Sequence, residues 1–315
     1  MSEEGTLSRR GFIGAAASAA AALSLGAVWS KAAVAATGER LVPPGHLGIQ
    51  LFTVRDKVAS LGFLSVFQEL ASIGYKEVEF AGYRAQGVNV PTTQIRQWLD
   101  QTGLNGIGTH IGYTQFLTNI NQVLDDAENL GLPYVGTANS PGVVHGETTD
   151  GYKRAAEDFN NFGAAAAARG MRFYQHNHSG EFAIDPTTGI RLYDTILAET
   201  DPSLVFFELD IFWAYVGQSR FPGFDPIQLV AAQPHRFPLY HVKDGVMDGG
   251  PFFGWTMTDV GDGDIDFQTL FTVVGRKGYH HYIVERDTAP DPAANPAGSF
   301  STARRSYQYL DNLRA

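Results

Sequence analysis

The 315-residue sequence predicts a single (β/α)8 TIM barrel, an α/β fold, on three observations. Short β-rich runs alternate with amphipathic stretches, with no linker or low-complexity break between them. Several of the amphipathic stretches close on a glycine just before the next run. Polar and charged residues gather at the C-terminal ends of the runs, which in a barrel converge on one mouth. A doubly wound open sheet is the competing architecture, weakened because no G-x-G-x-x-G follows the first run.

The eight expected strands are LGIQLFTV (47–54), EVEFAG (77–82), GIGTHIG (106–112), PYVGTA (133–138), MRFYQHN (171–177), VFFELDIF (205–212), PLYHVKD (238–244) and HYIVERD (281–287). The handover from helix to strand is written in ASIGYKEVEF, DQTGLNGIGTH, AENLGLPYVGT, AAARGMRFYQH and GRKGYHHYIVE. In each, glycine supplies the left-handed conformation that ends a helix without steric cost. Helical spacing places Ile120, Val123, Leu124, Ala127 and Leu130 on one apolar face, and Phe267, Leu270, Phe271 and Val274 on another. Asp266 and Asp150 are the expected N-caps of two of these helices.

Residues 1–35 stand apart from the barrel, which is expected over 36–315. Ser8-Arg9-Arg10-Gly11-Phe12-Ile13, a charge-free run rich in alanine and the small-x-small site Ala33-Val34-Ala35 read as a twin-arginine export signal. The run from Gly11 to Ser30 also has the length of a membrane anchor, but Ala, Gly and Ser dominate it. A signal of this kind implies passage through the twin-arginine translocation machinery to a periplasmic or secreted location, with the protein already folded.

The formal net charge is −10, and −11 once residues 1–35 are set aside. Such a surface repels phosphate backbones, so nucleic acid is not an expected partner. With no cysteine, any metal ligands must come from His, Asp and Glu. Gln50, Glu79, His110, His176, Asp210, His241 and Glu285 all fall at expected strand ends. Grouped about a divalent cation, such residues satisfy one another where isolated charges would be costly. The four late strands supply His176, Asp210, His241 and Glu285 as a ligand set without sulfur, suited to Mn, Mg, Co or Zn.

LGIQLFTVRD, HNHSGEF, ELDIFW, HVKD, VGDGDIDF and VERD, in that order from Leu47 to Asp287, together resemble the xylose isomerase-like TIM-barrel superfamily, in its sugar phosphate isomerase/epimerase branch. The resemblance implies one divalent metal held by a residue from each of the last four strands, and two carboxylates that bind metal and move protons. This sequence departs from that pattern, with His176 where relatives end the fifth strand in glutamate. Glu181 then either supplies the second carboxylate or contacts substrate hydroxyls. His178 is a ligand, a proton carrier, an orienting group or a turn histidine.

The expected chemistry is proton abstraction next to a carbonyl of a carbohydrate, with Glu285 as base. Return of the proton elsewhere makes a sugar isomerase or epimerase. Expulsion of a neighbouring group makes a lyase or dehydratase, a course the resemblance associates with exported enzymes acting on 3-keto-glycosides and one that His176 favours. A non-catalytic sugar-binding barrel is the third reading. Glu79 and His110 are expected on the opposite wall in contact with substrate, with Trp213, Trp255 and Lys243 as further substrate contacts. GGPFFGWTM, which contains Trp255, is either a mobile aromatic lid or an apolar plug on the rim.

Overall fold

Eight short runs buried on both faces are what a closed parallel sheet wrapped by helices requires. The computed structural model describes residues 38–83, 90–274 and 279–315. The export-signal segment 1–35 and the last of the handover glycines lie outside the described residues. The barrel opens with β1 (Leu47–Gln50), β2 (Glu77–Phe80), β3 (Asn105–Thr109) and β4 (Tyr134–Thr137). It continues with β5 (Arg172–His176), β6 (Val205–Asp210) and β7 (Leu239–Val242). A hairpin of β8 (Asp244–Gly250) and β9 (Gly254–Thr258) precedes the last barrel strand, β10 (His281–Val284).

The barrel strands pair in parallel in the order β3-β2-β1-β10-β7-β6-β5-β4. The seam between β3 and β4 is closed by a parallel bridge between His110 and Gly136, where the Ile111 N–H donates to the Gly136 carbonyl at 2.8 Å. Glycine is required here, because a Cβ on Gly136 would stand 2.3 Å from the Tyr174 carbonyl oxygen. The seam is therefore a place where the interior admits a large neighbouring ring in exchange for side chains of its own.

Outside the sheet run α1 (Arg55–Ile73), α2 (Thr92–Thr102), α3 (Tyr113–Leu130), the single turn α4 (Gly142–His145) and α5 (Thr149–Ala167). They are followed by α6 (Leu192–Glu199), α7 (Ile211–Arg220), α8 (Pro226–Ala232), α9 (Phe267–Val274) and α10 (Ser299–Asp311). The handover glycines Gly74, Gly103, Gly131 and Gly170 all have positive φ, between 70° and 124°. Val123, Leu124, Ala127, Leu130 and all four spaced residues of α9 are buried in one large core. A separate small core of Ile107, Tyr134, Tyr174, Leu239 and Ile283 comes from the strands themselves, leaving the later strand positions for polar groups. No helix among the described residues is long and apolar enough to cross a membrane.

Four sequence expectations are corrected. The first strand stops at Gln50, because its side chain accepts the Phe52 N–H at 3.2 Å and bends Leu51–Val54 into a 3-10 turn. The sixth stops at Asp210, whose carboxylate caps α7 through the Trp213 N–H at 2.8 Å. The cap of α5 is Thr148, not Asp150: its hydroxyl accepts the Gly151 N–H at 3.0 Å, and Asp150 sits in the first turn. Asp266 does cap α9, accepting the Thr269 N–H at 2.9 Å. Finally, the aromatic segment belongs to the β8–β9 hairpin. Trp255 is buried, packs edge-on against Phe212 at 6.0 Å and donates to Ser219 at 3.1 Å.

Candidate active site

Because alternate residues of a strand face the same side, β6 aims Glu208 and Asp210 into the barrel together, and β7 with the residue after it aims His241 and Lys243. Four of the sequence-expected groups meet there. Asp210, His241 and Glu285 present donor atoms within 4.8 Å of one another, and His176 Nε2 lies 3.7 Å from Asp210 Oδ2. Glu285 borders the cleft, while its neighbour Arg286 donates to Asp259 at 2.6 Å and does not pair with it.

Asp210 divides its work between two oxygens. Oδ1 caps α7, while Oδ2 is buried and forms an ion pair with Lys243 Nζ at 2.9 Å. Lys243, expected as a substrate contact at the mouth, is 2 % exposed and stands among three carboxylates: Asp210, Glu285 at 2.7 Å and Asp287 at 2.8 Å. Burial works against its charge, but Asp210, Asp287 and Glu285 outweigh that and hold the ammonium firmly protonated. Burial pushes the Asp210 carboxyl up to about 6 against the pull of Lys243 and His241.

Beneath this upper group lies a second one. His110 Nε2 is 2.8 Å and His176 Nδ1 3.1 Å from Glu208 Oε2, with His241 Nε2 at 3.2 Å. Glu208 was missed in the sequence, although its spacing of two from Asp210 was the available signal. His110, expected on the substrate wall, is 15 % exposed and does reach the cleft. Burial opposes its charged form, yet Glu79 and Glu208 raise its proton affinity above the usual imidazole value.

Glu79 is not a wall residue. It is fully buried, takes a hydrogen bond from Tyr174, accepts one from Gln50 at 2.7 Å and lies 2.6 Å from His241 Nε2. Burial opposes the charge of the His241 ring, but Glu208, Glu285 (2.8 Å from Nδ1) and Glu79 raise its proton affinity well above the usual imidazole value; a cation that displaces the Nδ1 proton would find Nε2–H still held by Glu79. Glu79→Gln is therefore expected to weaken divalent-cation affinity about 10- to 100-fold with little change in fold, measured by metal-buffer titration. Unchanged affinity would show that Glu79 does not orient the ring.

The remaining expected residues divide. His178 and Lys243 border a cleft of about 190 Å³ together with Phe52, His110, His176, Glu285 and Asp287. Desolvation and the Lys243 charge depress the His178 ring, which is neutral near pH 7. Trp213 lies 5.8 Å from the His178 ring and 5.5 Å from Phe252, beside the cleft. Glu181 is 2 % exposed and accepts the His178 N–H at 3.0 Å, so it holds the turn that carries His178.

Burial pushes the Glu181 carboxyl up to about 7. Since that exceeds the unfolded value near 4.3, its contribution to stability is full below about pH 4.3 and is lost as pH rises through 7. Gln at this position keeps the acceptor for the His178 N–H and removes the buried charge. Glu181→Gln is expected to gain on the order of 2–3 kcal/mol more at pH 8 than at pH 5, read from urea unfolding. A gain that does not change with pH contradicts this.

The donor set fits a divalent cation: Asp210 Oδ2 and His241 Nδ1, both buried, lie 4.0 Å apart beside Glu285, with one donor atom of each residue within 4.8 Å of the others. Oxygen and nitrogen ligands of this kind suit Zn, Mn, Co or Mg.

The fold and this site define a TIM barrel whose strand ends carry a His/Asp/Glu cluster that could hold a metal, and comparison with known proteins agrees on the barrel. Residues 67–307 match the family described as xylose isomerase-like TIM barrel, and the chain belongs to it. Among curated relatives, an inosose dehydratase of Clostridium perfringens is 29 % identical over 181 residues, covering 51 % of this chain and 56 % of that one, so the match spans little more than half the relative. An inosose dehydratase of Clostridium beijerinckii is 28 % identical over 301 residues, covering 81 % and 92 %. A sugar phosphate isomerase/epimerase from Parabacteroides distasonis superposes with a TM-score of 0.69 at 23 % identity, covering 89 % and 98 %. The IolI protein, solved with a zinc atom, gives 0.63 at 14 % identity, covering 86 % and 99 %. At these identities the solved structures speak for the fold alone, and the relatives so named are enzymes.

Proposed function

We propose that this chain is a divalent-metal-dependent carbon–oxygen lyase acting on a keto-sugar or keto-cyclitol. The observation that carries the reading is the convergence of Asp210 Oδ2, His241 Nδ1 and a Glu285 oxygen within 4.8 Å of one another, with Glu285 bordering the cleft. Asp210, His241 and Glu285, with His176 adjacent, are the groups to hold the cation. Bound there, it supplies Lewis-acid stabilisation of charge developing on the substrate carbonyl oxygen.

The chain's own residues provide the proton transfers. Glu285 takes the proton from the carbon next to the carbonyl. The released electron pair forms a carbon–carbon double bond, and the bond from the next carbon to its oxygen breaks. His110, at the cleft, gives a proton to the departing oxygen while Glu285 keeps the one it took from carbon, so the products are an enone and water or an alcohol. Lys243 holds Asp287 and Glu285 in place and keeps the carboxylates from repelling one another.

The isomerase reading needs a second base to give the proton back to carbon, as the paired carboxylates of the resembling family would. Here the fifth strand ends in His176, and His110 stands at the cleft where it can protonate a departing oxygen, which favours elimination. The dehydratase names of the relatives support the same choice.

Incubation of keto-sugars and keto-cyclitols in deuterated water separates the readings. Elimination gives the ultraviolet absorbance of a conjugated enone. Deuterium exchange without absorbance favours isomerisation, and metal binding without either favours a sugar-binding barrel. We also propose export in the folded state, carried by Ser8 to Ile13. Replacing both Arg9 and Arg10 by Lys should retain the protein in the cytoplasmic fraction, and unaltered export contradicts this.

A further inference from the structure

The cleft that holds the candidate reacting groups is small, about 190 Å³, and adjoins a cavity of about 790 Å³. The two share Ala81, His110 and Ala138, so His110 stands at their junction. Binding sites for whole small molecules run about 300–1,000 Å³. The cleft falls below that range and the cavity within it. A single ring filling the cleft leaves the larger space unexplained.

The chemistry of the cavity wall is specific. Gln115, Asn119, Gln122 and Asn139 place four amides on it, and Tyr83 and Val123 add apolar surface. The Asn139 carbonyl oxygen already accepts the Tyr113 N–H at 2.8 Å, and that of Gln115 accepts the Gly112 N–H at 3.2 Å. Their amino groups take no part in these two bonds. Asn119 departs from helical geometry within α3, with φ −143° and ψ 34°, so the helix breaks on this wall. No lysine or arginine lines the cavity among the described residues, and Asp126 does.

We propose that the substrate carries a second, neutral, hydroxyl-rich unit beyond the reacting ring, and that this unit seats in the cavity against Gln115, Asn119, Gln122 and Asn139. Amide groups match the mixed donors and acceptors of hydroxyls, and Asp126 among the described lining residues disfavours a phosphate. The proposal rests on the lyase reading for its direction: the second unit is joined through the oxygen that departs, next to His110. The leaving group is then an alcohol of sugar size and not water.

The test compares a methyl 3-oxo-glycoside with a 3-oxo-disaccharide that shares its reacting ring, using the metal-loaded protein. The kcat/KM for the disaccharide is expected to exceed that for the methyl compound at least about tenfold, as two or more added neutral hydrogen bonds imply. The Asn119→Ala, Gln122→Ala double variant is expected to lose at least about tenfold more on the disaccharide than on the methyl compound. Equal kcat/KM for the two compounds, or equal losses in the variant, overturns the subsite. Should neither compound react, the lyase reading fails while the subsite is still judged, by calorimetry with unmodified cellobiose and glucose. Tighter binding of cellobiose that the double variant removes upholds it, and equal affinity for the two sugars overturns it.

Discussion

Replacing Glu285 with Gln is expected to lower kcat by about 10³-fold or more while leaving the fold intact. Loss of a positioned general base alone costs about 10²–10⁴-fold, and here the same side chain also lies within reach of His241 Nδ1 and Lys243 Nζ, at 2.8 and 2.7 Å. Its oxygen borders the cleft, where a substrate carbon can approach. Gln preserves volume and one acceptor, so circular dichroism should be unchanged. Metal content should fall together with turnover, which separates this variant from one damaged only in proton transfer. Turnover within a few-fold of the parent would remove Glu285 from the base's role and leave His178 to be tested in its place.

Lys243→Met is expected to have the largest effect on stability. The ammonium is buried within 2.9 Å of carboxylates from Asp210, Glu285 and Asp287. Deleting one partner of a buried ion network leaves uncompensated charge, typically at a cost of about 3–5 kcal/mol. In metal-stripped protein that full loss should appear in urea unfolding. Metal-loaded protein should lose less, because a cation bound by Asp210 and Glu285 supplies part of the missing positive charge and binds only the folded state. Equal losses with and without metal would mean that the cation and the ammonium do not share these carboxylates.

The barrel was legible because its punctuation is local. Gly74, Gly103 and Gly131 end their helices in conformations that favour glycine, and apolar spacing marked the faces of α3 and α9. Strand ends were legible for the same reason, and they delivered Asp210, His241, Glu285 and His176 to one region. Depth was not legible. Glu79 and His110 look alike in sequence, each at the end of an early strand, yet Glu79 is sealed under His241 and His110 reaches the cleft.

Glu208 escaped because attention to strand ends stops at Asp210, whereas the pleat carries both residues inward. Lys243 was expected as a substrate contact, since the carboxylates that bury it come from two distant segments, Asp210 at the end of β6 and Glu285 with Asp287 after β10. Trp255 was misplaced because the hairpin's pairing of Met247 with Trp255 turns the ring toward α7, a long-range event that its glycine-rich surroundings do not reveal.

The central claim is the position of the cation. Anomalous scattering from crystals of the protein loaded with Zn or Mn locates it directly. The account predicts one strong peak bonded to Asp210 Oδ2, His241 Nδ1 and Glu285, at about 2.0–2.2 Å for zinc. A peak among His110, His176 and Glu208, or none at the mouth of the barrel, would contradict it.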